Sequence, residues 1–314
     1  MPVVLDFALN VQYGNFFYFL PLVLTVLFTV IGSILCVKLG QKFTKILVSV
    51  TLWISFAIHF LMVFTPYYWQ GVPDSAVVIA LPNVCAVYVV IAPFVFHFGN
   101  AYWKDYLYYG GVLAGLLAMV VFPTPIVSAE STKTFADTTY LIETIRYYLV
   151  HALIVFAPVW MLVGKVHTLN YRRLWAVPLM FTALLTVTVL NGMFFGMVVK
   201  HPWFPHEFIG PDGLFNRYGP HNGTANQSMA YGPGPDKDAA LSWLYPYTIP
   251  YLQTYYYGDQ LLFVPVIWVM PYLYLGVALM GIPLALPFDY RRIGGDFASF
   301  GRKVGSLFRK KEKE

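Results

Sequence analysis

Seven long apolar runs, separated by polar stretches, leave this chain few ways to fold: residues 16–37, 46–65, 77–97, 106–122, 140–164, 175–199 and 261–286. The hydrocarbon layer of a bilayer is roughly 30 Å thick and takes about 20 mostly apolar residues of helix to cross. The runs match that length. With 58% hydrophobic and 11% charged residues, the composition excludes an ordinary soluble domain. A transmembrane barrel would show weakly alternating segments of about ten residues, and these are missing. The sequence therefore predicts an all-α polytopic membrane protein, a seven-helix transmembrane bundle forming one domain over residues 1–314.

Residues 1–15 carry Asp6 but no Lys or Arg, and no small-residue cleavage pattern follows, so the first run is expected to remain as a span. Cytoplasmic loops are enriched in Lys and Arg. Placing the amino terminus outside and the carboxyl terminus in the cytoplasm puts Lys38, Lys42, Lys45, Lys104, Lys165, Arg172, Arg173 and the eight basic residues after Leu286 on the inner side. That is 15 of the 20 basic residues, while ten of the 15 acidic ones fall outside. The net charge of +5 thus reports topology, and no nucleic-acid partner is expected. In the basic tail, residues 289–314, Phe297, Phe300, Val304, Leu307 and Phe308 recur at helical spacing among Arg302, Lys303, Arg309, Lys310 and Lys311. This reads as a helix lying on the inner leaflet and attracted to anionic lipid, with a disordered solvated tail as the alternative.

Residues 200–259 form the longest hydrophilic stretch, rich in Pro, Gly, Tyr and Asn, and are expected to be an extracytoplasmic loop or lid over the outer mouth. His201, His206 and His221 lie there at a spacing that fits no common zinc site, so no metal is expected. Asn222-Gly223-Thr224 and Asn226-Gln227-Ser228 fit the glycosylation pattern, which matters only in a secretory compartment. No Walker, HExxH, CxxC, GxGxxG or GxSxG signature occurs. Cys36 and Cys85 fall at different depths, which argues against a disulfide between them.

Polar groups inside the runs carry the functional signal, because a polar or ionisable side chain in the hydrocarbon layer is costly and usually faces a bundle interior or a cavity. Counted from the inner ends at 1.5 Å per residue, Cys85 and His151 both lie roughly 18–20 Å from the inner surface. Asn191 and His59 also fall in the outer half, although both can serve simply to hydrogen-bond across helices. A lone buried cysteine is usually a small apolar side chain. Here, however, Pro82 removes a backbone hydrogen bond one turn away, beside Asn83, and should leave a kinked, partly solvated site. Glu143, Tyr147 and His151 recur every four residues, so they line one helix face and should lead from the outer surface down to the imidazole. Cys with His is a minimal acyl-transfer pair, since the imidazole can take the thiol proton near neutrality.

The stretches Leu81-Pro82-Asn83-Val84-Cys85, residues 113–123 (Leu-Ala-Gly-Leu-Leu-Ala-Met-Val-Val-Phe-Pro) and Glu143-Thr144-Ile145-Arg146-Tyr147-Tyr148-Leu149-Val150-His151, with Pro158 beyond, resemble the YwaF-type integral-membrane family, the family of transmembrane protein 164. The likeness covers about residues 77–199. It implies a membrane acyltransferase acting on phospholipids or lysophospholipids, with Cys85 as nucleophile, His151 as base and Asn191 as a further site residue. No cofactor is implied. Other classes fare less well: residues 261–286 hold no Lys for a retinal Schiff base, and no repeated halves suggest a transporter. No Ser or Thr occurs in 77–97 to replace the cysteine as nucleophile. A non-enzymatic, partner-binding or transport-related membrane protein remains the alternative.

Overall fold

The structure is a computed structural model that describes residues 10–61, 81, 83–121, 134–200, 246–257, 260–264 and 266–311. Its elements are α1 (Phe16–Leu61), α2 (Val84–Phe98), α3 (Ala101–Val120), α4 (Thr138–Val163), α5 (Ala176–Lys200), a hairpin of β1 (Gln253–Tyr257) and β2 (Gln260–Phe263), and α6 (Met270–Lys311). A single-turn helix, Tyr171–Arg173, lies between α4 and α5.

Helix starts are set by short polar side chains that satisfy the otherwise free first-turn N–H groups. Asn15 accepts from Tyr18 N at 2.9 Å, Asn83 from Ala86 N at 2.9 Å, and Asn100 from Tyr102 N at 3.0 Å. Asp137 accepts from Thr139 N at 2.8 Å. Between the cap at Asn15 and Leu61, α1 is broken once, at Gly40, whose φ of 80° belongs to the left-handed region that glycine enters without steric cost. The runs 16–37 and 46–65 therefore become two arms joined by one glycine.

The arms run in opposite directions, as their partners show. The first arm runs parallel to α4: Val11 N donates to the Tyr140 hydroxyl at 3.1 Å, Trp160 Nε1 to the Thr29 carbonyl at 3.0 Å, and Gln41 Nε2 to the Lys165 carbonyl at 2.8 Å. The second arm runs antiparallel to α2, with Ser49 Oγ 2.9 Å from His97 Nε2 and the Trp53 ring 5.3 Å from that of Phe94. Gly99 and Asn100 join α2 to α3, which returns beside it with the Tyr88 hydroxyl donating to the Leu107 carbonyl at 2.6 Å. One end of the bundle thus gathers Gly40, Asn100 and Lys165, and the other gathers Tyr18, Val120 and Tyr140.

At the centre lies α4, with Ile154, Ala157 and Met161 completely buried. Helices in a bilayer gain little from hydrophobic exclusion and are held by close packing and hydrogen bonds, so small residues mark their contacts. Gly111 and Gly115, four apart on α3, let that helix rest on α4. A Cβ on Gly115 would stand 2.6 Å from Val155 Cγ2 and 2.9 Å from the His151 carbonyl oxygen, and one on Gly111 would collide with the Ile154 carbonyl. The peripheral helices are the converse of α4. Val26 of α1 is 63% exposed and Leu279 of α6 is 65% exposed, and both belong to wide uncovered apolar faces suited to lipid.

Among the described residues, three segments are long and apolar enough to cross a membrane: Phe16–Leu61, Thr138–Val163 and Ile267–Val304. Val84–Phe98 and Ala176–Asn191 are shorter apolar helices. Three boundaries differ from those read in the sequence. The helix expected over 77–97 begins only at Val84, because Asn83 caps it and Leu81 is not helical. The run 106–122 is entered five residues earlier, at Ala101, where Asn100 supplies the cap. The run 261–286 is not helical at its start, a small exception within an all-α fold. Its first residues form β2, which pairs antiparallel with the Tyr-rich β1 (Tyr256 opposite Leu261, Tyr257 opposite Gln260), and helix resumes at Met270. Runs of aromatic and branched side chains suit a strand as well as they suit a span. Residues 201–245, and with them His201, His206, His221, the glycosylation patterns and most of the lid, lie outside the described residues.

Candidate functional site

Cys85 is the second residue of α2, in the turn that Asn83 caps. It therefore sits at the start of the helix, the positive end of the helix dipole. Cys85 is half-buried and its thiol forms no disulfide. It lies within electrostatic range of three tyrosines: Tyr88 of its own helix, Tyr106 of α3 and Tyr147 of α4. Tyr88 and Tyr106 are buried, their rings 6.0 Å apart.

Tyr147 holds the histidine. Its ring centroid stands 4.4 Å from that of His151, its hydroxyl donates to the Ala118 carbonyl of α3 at 2.7 Å, and its own carbonyl oxygen lies 2.7 Å from His151 Nδ1. A carbonyl only accepts, so Nδ1 must carry the proton. In the neutral ring Nε2 then keeps its lone pair, and it has no hydrogen-bond partner among the described residues. The imidazole is buried, and the close approach of Gly115 to the His151 carbonyl fixes the height of this turn of α4 against α3. The arrangement presents a thiol at a helix start and, on α4, an imidazole whose tautomer is that of a base.

The other residues singled out in the sequence are placed less directly. Glu143 shares the face of Tyr147 and His151, but one carboxylate oxygen is taken by Arg146, with Nη2 at 2.6 Å and Nε at 3.1 Å. Its second oxygen is buried without a partner among the described residues. The expected polar path down this face is thus replaced by the backbone carbonyl of Tyr147. Asn191, on α5, has its amide nitrogen buried and without a hydrogen-bond partner among the described residues. His59 is buried on the second arm of α1, edge-on to Phe60 at 5.1 Å. Pro82 lies outside the described residues. Among those described, no group of three or more His, Cys, Asp or Glu is placed to hold a metal.

A second polar cluster, not anticipated from the sequence, closes the opposite end of the bundle. Asp105 of α3 is completely buried and accepts from His167 Nε2 at 2.6 Å, from Arg173 Nη2 at 3.0 Å and from Arg173 Nε. Asp289, at the break in α6, accepts from Tyr171 N at 2.9 Å and from Arg292 Nη1 at 3.0 Å. Asp296 binds the Arg172 guanidinium through both oxygens, at 2.6 and 2.9 Å, and the Tyr171 hydroxyl. Arg172 and Tyr171, in that order, hold the Asp296 carboxyl down at about 2. The signal available in the sequence was an acid, Asp105, between two apolar runs and facing a basic loop. It passes for an ordinary loop charge when the fourth run is counted from Tyr106.

A helical bundle with a densely packed centre and apolar outer faces, three of its segments long enough to span a bilayer, defines a multi-pass integral membrane protein. Residues 12–199 match the TMEM164 family, so more than half of the chain, including α1 to α4 and the Cys85–His151 region, is covered, and the chain belongs to that family. No curated protein and no solved structure matches it.

Proposed function

We propose that the chain is a membrane acyltransferase that passes a fatty acyl group between phospholipids or lysophospholipids through a thioester on Cys85, with His151 as the base. The observation that carries this reading is the bond from His151 Nδ1 to the Tyr147 carbonyl, which leaves Nε2 as the proton acceptor beside a tyrosine within electrostatic range of Cys85. In the first half-reaction Nε2 takes the thiol proton and the sulfur attacks the ester carbonyl carbon. The carbon–oxygen bond then breaks, and the departing lysolipid hydroxyl receives the proton from the imidazolium. In the second half-reaction His151 takes a proton from the acceptor hydroxyl, whose oxygen attacks the thioester. The thiolate leaves and regains that proton. One imidazole serves both halves as base and then acid. The helix start supports the sulfur anion in each.

The accompanying topology is seven spans with the amino terminus outside, counting the two arms of α1 separately. This places the pair in the outer half of the bilayer, where acyl esters lie. The test is covalent trapping. Purified wild type incubated with acyl-labelled phospholipid should carry a hydroxylamine-sensitive label that Cys85→Ser lacks and that His151→Ala acquires slowly. Equal label on all three folded proteins would overturn the mechanism.

A further inference from the structure

The last helix does not end where the hydrophobic run ends. Past the break at Asp289 it continues to Lys311, roughly 33 Å at 1.5 Å per residue. One face of this extension is held to the bundle. Ile293 is buried, and Asp289 and Asp296, two turns apart, are bonded to Tyr171 and Arg172 of the preceding inner loop. That side is only partly covered: Tyr290, Phe297 and Phe300 are 59%, 60% and 66% exposed and, at about 100° per residue, fall in one arc of the helix with Ile293 between Phe297 and Phe300, while Arg291 and Arg302 lie well round the other side.

Two features say what covers this stripe. Both acids of residues 289–306 are taken up by the clamp, so the charges left facing outward, Arg291, Arg302 and Lys303 among them, are positive. The stripe also continues a helix whose earlier turns, Leu275 and Leu279, present an equally bare apolar face suited to acyl chains. A neighbouring protein would have to tolerate both the unpaired cations and the adjoining lipid. A leaflet surface supplies phosphates for the one and acyl chains for the other.

We propose that residues 290–306 form an inner-surface dock for anionic lipid, in which Tyr290, Phe297 and Phe300 enter the boundary between headgroups and acyl chains, Arg291, Arg302 and Lys303 on the polar sides of the helix supply the positive charge that draws anionic lipid, and the Asp289–Asp296 clamp fixes the helix for this contact. The proposal is independent of the chemistry at Cys85. It rests on exposed positions that accept probes without disturbing the core.

The test uses the full chain with Cys36→Ser and Cys85→Ser, reconstituted in nanodiscs, with a nitroxide attached at Phe297→Cys, Phe300→Cys or Arg302→Cys. In discs containing phosphatidylglycerol, collisions with oxygen should exceed those with a water-soluble nickel complex several-fold at 297 and 300 and fall below them at 302. In discs of phosphatidylcholine alone, or after Arg302→Glu with Lys303→Glu, the labels at 297 and 300 should become water-accessible. A label at Leu279→Cys should stay in lipid throughout, which shows that the span remains inserted. Equal water access at 297, 300 and 302 in the anionic discs would overturn the proposal. Equal insertion in neutral discs would also overturn it, as would strong spin–spin broadening at 297, which would identify a second copy of the chain as the occupant.

Discussion

Replacing Asp105 by alanine should destabilise the protein by about 3–5 kcal/mol, the cost of breaking a buried ion pair from one side. The figure follows from what would be stranded. The carboxylate is completely buried and accepts from His167 Nε2 at 2.6 Å and from Arg173 Nη2 at 3.0 Å. Without it the Arg173 guanidinium, on a side chain 19% exposed, keeps a bond to the Thr168 carbonyl at 3.1 Å and the face of Tyr102 at 5.8 Å, neither of which neutralises its charge. Equilibrium unfolding in mixed micelles with increasing dodecyl sulfate, followed by tryptophan fluorescence, measures the loss. Arg173→Ala and the double variant complete a cycle, and because the two residues share a network their effects should fall short of additive by roughly 0.5–3 kcal/mol. Asp105→Asn, which keeps the shape and one acceptor but loses the charge, should lie between. An Asp105→Ala cost under about 1 kcal/mol, or strict additivity with Arg173→Ala, would show that the Asp105 cluster is not a coupled buried pair.

Three other outcomes follow from the same contacts. Gly115→Ala should cost about 1–3 kcal/mol by overpacking α3 against α4, and should slow acyl labelling more than Gly276→Ala, where a Cβ meets nothing within 4 Å; equal effects at the two sites would mean that Gly115 does not set the height of His151. The Asp296 clamp should resist acid. A carboxyl held at about 2, below its ordinary 3.8, contributes stability above the ordinary value and loses it only as the pH falls through the lower one, so a nitroxide at Ser306→Cys should keep its mobility down to about pH 4, and loosening well above that would contradict the bonding. Cysteines introduced at Asn226 and Ser306 should react with membrane-impermeant reagents from the outside and the inside respectively, and the reverse pattern would overturn the charge-based orientation.

The fold was legible where physical constraints act over long stretches, and less so where one residue decides. Apolar length alone finds α1, α4 and most of α6, because a bilayer demands it. It cannot find Gly40, where a single positive φ turns a 46-residue helix into two opposed arms. Nor can it separate β2 from the span that follows, since Leu261 and Leu262 suit either. The missed starts of α2 and α3 were written in the sequence as Asn83 and Asn100, each an asparagine followed by an apolar or aromatic stretch. The cap pattern was legible there, but hydropathy spoke louder. Asp105 shows the opposite failure. Its neighbours in sequence look like a loop, and only the return of residues 165–173 to the same end of the bundle reveals that its charge is buried and answered.

The candidate site illustrates why depth counting brought Cys85 and His151 to one layer while misjudging how each is held. Both counts began at the inner ends of helices that run in the same direction, so errors at the outer ends did not enter. Spacing by four placed Tyr147 directly above His151, and that relation survives in the structure, though through a different atom: the backbone carbonyl rather than the phenol meets Nδ1. The difference has a chemical consequence. A phenol can donate or accept and would leave the imidazole tautomer open, whereas a carbonyl accepts only and commits the proton to Nδ1. Cys85, read as lying in the outer half of a span that begins at residue 77, occupies the first turn of a helix that begins at Val84. It therefore lies at the positive end of that helix's dipole, at the start that Asn83 caps.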